Sequence, residues 1–242
     1  VSTNTAADWT YWNSYNATSF AEVVHRFDND WKLKAGLTHK KITSDTALFY
    51  AYGTPDRTTG LGLYSYPSLY DMNNLQDIVD VSASGPFTLG NRKHDLIVGA
   101  NWSKSKEKEH SYYGSDIGTA LPDLATWTGN YPKPAFDDST RWSSFEDNRQ
   151  SVYAAARLNL ADPIKLIIGA SATSAESSGI SYGQDRKRSD RGISPYIGAV
   201  YDLSANLSAY ASYTGIFNPQ YETDINHQTL DPVKGTSKEI GL

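Results

Sequence analysis

Serine, histidine, carboxylate and aromatic side chains all occur in this chain in patterns that could do chemistry. The run Gly179-Ile180-Ser181-Tyr182-Gly183 fits the G-x-S-x-G pattern of a serine nucleophile. That pattern works because a strand–turn–helix elbow presents the serine at a sharp bend. Here the polar stretch Gln184-Asp185-Arg186-Lys187-Arg188-Ser189-Asp190 follows where an apolar helix is required, so a surface loop is expected instead. The five histidines, His25, His39, His94, His110 and His227, are dispersed, with no pair at metal-ligand spacing. Asp28-Asn29-Asp30 lacks the glycine and the distal glutamate of a calcium loop, so it reads as a hairpin turn. What remains is contact chemistry. Tyr112, Tyr113, Trp127, Tyr131, Trp142, Tyr182 and Tyr221, with Arg141, lie in long polar connections. Aromatic rings with polar tips give rigid contact area at low entropic cost, which suits a bulky ligand.

The elements that must position these residues read as strands. Apolar and polar residues alternate through Arg149–Ser174 and again through Ile193–Phe217, the period-two signature of a sheet. Nine strands are expected, over about 18–28, 31–43, 75–87, 94–108, 148–160, 164–176, 192–203, 206–216 and 237–242. Short turns are expected at Asp28-Asn29-Asp30, Gly90-Asn91-Arg92, Ala161-Asp162-Pro163 and Ser204-Ala205. The connections 44–74, 109–147, 177–191 and 217–236 are long, polar and aromatic. Short turns at one end and long loops at the other are the pattern of an outer-membrane β-barrel, whose mean hydropathy stays polar because only every second strand residue faces lipid.

Parity assigns the faces. Val152, Ala154, Ala156, Leu158 and Leu160 share one face, as do Leu166, Ile168, Ala170 and Ala172. Lys32, Lys34 and Arg157 fall on the other face and must look inward, because a midplane cation facing lipid costs about 2–4 kcal/mol. Phe27, Trp31, Phe87 and Tyr201 near the short turns, and Trp102 and Tyr213 toward the long loops, would form two interfacial girdles. Lys104, Lys106 and Lys108 share the parity of Leu96, Val98, Ala100 and Trp102 and should point outward, where ammonium groups could meet lipopolysaccharide phosphates. The chain has no cysteine, a net charge of −5, and no apolar run long enough for a membrane helix. The mild acidity argues against nucleic acid as a partner. With no signal peptide before the first strand and an end in mid-pattern at Ile240-Gly241-Leu242, residues 1–242 are expected to be a fragment of a longer chain.

Specific runs then resemble a known family. Tyr153-Ala-Ala-Ala-Arg157-Leu-Asn-Leu160-Ala-Asp162-Pro163, Lys165-Leu-Ile-Ile-Gly169-Ala170, Tyr210-Ala-Ser-Tyr213-Thr and Ile216-Phe217-Asn218-Pro219-Gln220 resemble the barrel of TonB-dependent siderophore receptors. Leu230-Asp231-Pro232-Val233-Lys234-Gly235 leading to Glu239-Ile240-Gly241-Leu242 matches a strand that follows a loop in that family. His94-Asp-Leu-Ile-Val-Gly99-Ala100 and Trp127-Thr-Gly129-Asn-Tyr131-Pro132-Lys-Pro134 resemble the ferric pyoverdine and ferric coprogen receptors most. Ser171 departs from the family, which commonly has arginine there.

The resemblance implies an all-β, antiparallel transmembrane barrel of 22 strands, of which about nine are here, with a plug domain absent from this chain. It implies import of a ferric siderophore of hydroxamate-containing type by gating through an inner-membrane TonB-type coupler, engaged by N-terminal regions outside this chain. Iron would arrive already chelated, so no cofactor is expected. Trp127, Tyr131, Trp142, Arg141, Tyr113, Tyr182 and Tyr221 are the expected ligand contacts. The alternative is a small outer-membrane barrel acting as an adhesin or surface enzyme, although no acidic–histidine or serine–histidine constellation can be assembled. A soluble carbohydrate-binding module would need neither lipid-facing bands nor loops segregated by end.

Overall fold

The computed structural model describes residues 4–138, 141–220, 224–225 and 229–242. Nine strands run in chain order: β1 (Tyr11–Arg26), β2 (Lys32–Gly53), β3 (Leu63–Leu89), β4 (Arg92–Tyr113), β5 (Arg141–Ala161), β6 (Ile164–Ser181), β7 (Gln184–Ser204), β8 (Leu207–Asn218) and β9 (Val233–Gly241). Each pairs antiparallel with its neighbours in sequence, giving one nine-stranded sheet of order β1 to β9. A 3₁₀ turn at Leu124–Thr126, capped by Asp123, interrupts the long connection between β4 and β5. The chain is all-β with up-and-down connectivity, as expected from the alternation.

The short turns use the chemistry their backbone demands. Gly90 (φ 58°) and Asn91 (φ 59°) form a two-residue hairpin with both central residues left-handed, a geometry suited to the twist of paired strands. Asp30 (φ 65°) closes the β1–β2 turn. Small ladder irregularities at Asn159/Ala161 and Asp202/Ser204 sit beside the β5–β6 and β7–β8 turns.

One connection differs from expectation. No loop covers 177–191: β6 continues to Ser181 and β7 begins at Gln184, leaving only Tyr182-Gly183 as the turn. The run Gly179–Gly183 is therefore a strand end and hairpin tip. Strands are also longer than expected elsewhere, so that 44–74 contributes a connection of only 54–62. The physical reason is shared. Where strands rise above the bilayer, both faces are polar, so the hydrophobic alternation fades while the backbone ladder continues. Short and long connections accordingly do not alternate throughout.

Cross-strand registers confirm the face assignment. Leu37, Val79 and Trp102 lie side by side, as do Ala35, Val81, Ala100, Val152, Ala172 and Ile193 one step below. Val81, Val152, Ile168, Ile193 and Ile197 are exposed on this apolar face, consistent with lipid as their solvent. The opposite face is polar and internally paired: Lys34 with Glu22 at 2.6 Å, Arg157 with Asp95 at 2.9 Å, and Lys165 with Asp202. At the end with the short turns, the Trp31 ring lies where a side chain on Gly85 would be, and its indole N–H donates to the Pro86 carbonyl at 3.1 Å.

Placing arginine at Ala154 or Ala170, directly opposed on the apolar face, should cost about 2–4 kcal/mol and impair assembly of the full-length protein. Ser171→Arg, on the polar face, should assemble normally. Heat-modifiable gel migration reads the difference, and equal assembly of all three variants would overturn the face assignment.

Candidate functional site

The upper ends of β2, β3 and β4 carry a file of tyrosines on the polar, lumen-facing parity. Tyr52, Tyr64, Tyr66 and Tyr70 stand at even positions and Tyr113 faces the same way from β4. Their rings touch edge to face or tilted: Tyr52–Tyr64 at 5.8 Å, Tyr52–Tyr66 at 6.0 Å, Tyr66–Tyr113 at 5.8 Å and Tyr70–Tyr113 at 6.4 Å. Such pairs each add about 0.5–1.5 kcal/mol beyond their burial. The Arg141 guanidinium sits 4.5 Å from the Tyr113 ring centroid and also contacts Asp137 at 3.4 Å.

Tyr66, Tyr113 and Arg141, with Ile117, Phe136 and Tyr182 among others, line a cavity of about 700 Å3. Tyr182 reaches it from the β6–β7 hairpin tip, where it is held at φ 49° and its hydroxyl lies 3.3 Å from Ser111 Oγ. A bulky residue in the left-handed region stores of order 1–3 kcal/mol, a strain that clusters at binding sites. Burial pushes the Tyr113 phenol well above its ordinary value, with added repulsion from Tyr70, Tyr182 and Tyr66. Its hydroxyl is therefore neutral at physiological pH. Below it on the same face, Glu109 is pushed up by burial and then by Glu107 and Asp71. The arrangement offers flat aromatic area, phenolic hydroxyls and one stacked cation. It can hold a large ligand by contact.

Of the seven residues expected to form a pocket, the fold brings together three: Tyr113, Arg141 and Tyr182. Trp127 and Tyr131 are elsewhere. They pack on Phe49, with ring centroids at 5.5 and 4.5 Å, in a small core with Ala7, Leu63, Leu121 and Trp9. Phe49 continues the parity of Leu33 and Leu37, so this core lies on the side of β2 away from the tyrosine file. The polar tips are also used. Trp127 Nε1 donates to the Ala6 carbonyl at 3.1 Å, Trp9 Nε1 to the Tyr131 carbonyl at 3.0 Å, and the Tyr131 hydroxyl to Asp116 at 2.6 Å. Trp142, opposite His110, shares the outward parity and is exposed. Tyr221, like His227, lies outside the described residues.

Tyr52, Tyr64, Tyr66 and Tyr70 were not expected, because 44–74 read as a loop. Their even spacing, continuous with Asn74 and Gln76, was the available signal. Lys104, Lys106 and Lys108 do point outward; Glu146 contacts the first two at 2.5 and 3.4 Å. Among the described residues, no group of three or more histidine, cysteine or acidic side chains could hold a metal ion.

Comparison with known proteins places this geometry in a class. The family described as "TonB dependent receptor-like, beta-barrel" matches residues 1–242, so the chain belongs to that family. A ferric-pyoverdine BN7/BN8 receptor of Pseudomonas putida is 35% identical over 100% of this chain and 31% of its own length. The ferripyoverdine receptor of Pseudomonas aeruginosa is 32% identical over 99% of this chain and 29% of its own length. The crystal structure of the ferripyoverdine receptor of the outer membrane of Pseudomonas aeruginosa bound to ferripyoverdine superimposes with a TM-score of 0.86 at 29% identity, covering 98% of this chain and 32% of that one. The chain thus spans about a third of the relatives it matches. It is a stretch of outer-membrane barrel wall, and its apolar face is lipid-facing.

Trp127→Ala should loosen the loop core by roughly 3 kcal/mol, the scale for emptying an aromatic core position. Faster proteolysis of the 114–138 connection at unchanged barrel assembly checks this. For Tyr113, a raised folded-state value means that its stabilising contribution is fully present below the unfolded value near pH 10 and is lost as pH climbs toward the folded one. Alkaline loss of thermal stability above about pH 10 should be smaller in Tyr113→Phe than in the parent; equal losses would contradict it.

Proposed function

We propose that this chain is part of an outer-membrane receptor that binds a ferric siderophore in the lumen-facing tyrosine–arginine pocket. The chelate would then be imported when a TonB-type coupler displaces a plug belonging to the rest of the protein. One observation carries the reading: an aromatic cavity of about 700 Å3 opening on the polar face of the wall, in a chain whose relatives are named as ferric-pyoverdine receptors. Iron arrives chelated, and no covalent step is done. Tyr66, Tyr113 and Tyr182 would supply flat contact, and Arg141 would meet the oxygen-rich face of a hydroxamate-containing chelate. Trp127 and Tyr131 would act through the loop core, by fixing the rim.

Truncating an aromatic anchor in a binding pocket commonly costs 2 kcal/mol or more, about thirtyfold in affinity. In the full-length receptor, Tyr113→Ala and Arg141→Gln should each weaken ferric-siderophore binding by tenfold or more, while Tyr201→Ala, exposed on the lipid face at the opposite end, should not. Fluorescence-quenching titration with hydroxamate siderophores decides it. Tight binding unaffected by either pocket variant would move the site elsewhere.

The outward cations are proposed to meet lipopolysaccharide. Lys104, Lys106 and Lys108 share their face with Lys41, Lys187 and Arg191 just above the apolar belt, and each cation at an anionic lipid surface is worth about 1 kcal/mol. Replacing the three lysines by glutamine should lower lipopolysaccharide phosphate co-purifying with the receptor. Undiminished phosphate would refute the contact.

A further inference from the structure

The run Phe217-Asn218-Pro219 does something the tyrosine pocket does not explain. Strand β8 extends to Asn218, yet its ladder with β7 stops at Tyr196–Thr214. Pro195 follows as the next residue up β7, and it has no N–H to continue the ladder; Gly215 passes so close that a side chain there would meet the proline ring. Released from β7 but still paired with β9, β8 leans over the lumen face of β7. The Phe217 ring occupies the place a side chain on Gly192 would take, on the parity of Arg188 and Asp190. Asn218 and Pro219 then roof a cavity of about 340 Å3 in the lumen wall.

The cavity is polar and built. Arg188 and Asp190 are ion-paired and largely buried in it. Ser177 is 7% exposed, and its hydroxyl has no hydrogen-bond partner among the described residues. A buried hydroxyl without a partner is costly, so Ser177 marks a point at which a ligand group would be stabilised. Arg149, exposed at the mouth on the same parity, makes no ion pair among the described residues. Asp190 is matched by Arg188, Asp147 is already engaged, and Glu176 projects from the other parity. Asn148, at the margin, has an unpartnered carbonyl oxygen and could present its amide N–H by turning. The donors left to use within the lumen parity are the Arg149 guanidinium and the Ser177 hydroxyl, with the Asn148 amide at the margin.

We infer that this roofed cavity is a second, lumenal binding site, a seat for a carboxylate of the cargo after it leaves the tyrosine pocket. The inference rests on the proposed siderophore-receptor function. Arg149 supplies the charge, Ser177 the hydrogen bond within the wall, and the Phe217–Pro219 strap the cover. The seat lies on the same lumen face as the tyrosine file, below it on β4 and β5: Ser103, Ser105, Asp147 and Arg149 line it, whereas Tyr113 and Arg141 stand at the upper strand ends.

Two titrations on the full-length receptor test this. In the first, without siderophore, succinate is titrated calorimetrically. The parent and Tyr113→Ala should bind it alike, and Arg149→Gln and Ser177→Ala should each weaken it about tenfold, the scale of one charge-assisted hydrogen bond; Arg149→Lys should restore part. In the second, a ferric chelate bearing a free carboxylate is compared with its amide. The parent should prefer the acid about tenfold, a preference that Arg149→Gln abolishes. If succinate binds as described but no ferric chelate does, the receptor function falls and the carboxylate site survives, without its assigned cargo. If chelates bind and both measurements are unchanged in Arg149→Gln and Ser177→Ala, the seat is overturned. It is also overturned if Arg149→Gln lowers the ligand-free thermal midpoint without altering succinate binding, since the protein's own carboxylate would then occupy it.

Discussion

Inside a bilayer no water is available to satisfy a peptide group, and an unpaired N–H or C=O there costs several kcal/mol. The architecture of this chain follows from that constraint. Every strand must find a neighbour along the whole lipid-facing height, and consecutive antiparallel pairing does this with the shortest connections. Once the ladder exists, its pleat sends alternate residues to lipid and to the lumen, so a single backbone solution also sorts the side chains. Lys34–Glu22 and Arg157–Asp95 remain tolerable within the wall because the pleat points them away from lipid. The same ladder, carried above the membrane, becomes the scaffold on which the tyrosine file is mounted.

Rigidity at that site comes from strands more than from loops. Tyr66, Tyr70 and Tyr113 stand on β3 and β4, paired over more than twenty residue pairs from Ser68–Tyr113 down to Leu89–Arg92. Arg141 opens β5 and is paired with Ser111. The long connection contributes by different means. Its Trp127 and Tyr131 are consumed in a core of their own with the segment around Ala7 and Trp9, while Ile117 and Phe136 of the same connection line the pocket. A rim held in this way costs the ligand little ordering entropy on binding.

The membrane-spanning part was legible in the sequence because lipid imposes the alternation that period-two reading detects. Parity at Ala154, Ala170, Lys34 and Arg157 was correct for that reason. Above the bilayer water wets both faces, the alternation weakens, and Gln184–Asp190 read as a loop although the backbone there is paired strand. The candidate site suffered from the same loss. Tyr113, Arg141 and Tyr182 were singled out as aromatics or cations near polar connections, and they converge. Trp127 and Tyr131 met the same criterion but pack on Phe49, a long-range contact that no local pattern encodes. Tyr52, Tyr64, Tyr66 and Tyr70 lie in a stretch where polar residues occupy both faces, so only their even spacing hints at a strand.

The parting of β8 from β7 at Pro195 has a mechanical meaning. Above Tyr196, β7 keeps its ladder to β6 but has no ladder to β8. The wall there is a sheet joined on one side and merely leaned upon on the other. On the β7 side only the Gly215–Pro195 and Phe217–Gly192 contacts hold upper β8, whose backbone ladder there runs to β9 alone, and side-chain contacts do not resist shear as a row of backbone bonds does. Under a pull transmitted through the lumen, this seam would yield before any other junction among the described strands, and the amides of β7 on that side would be the first to trade their protons with solvent.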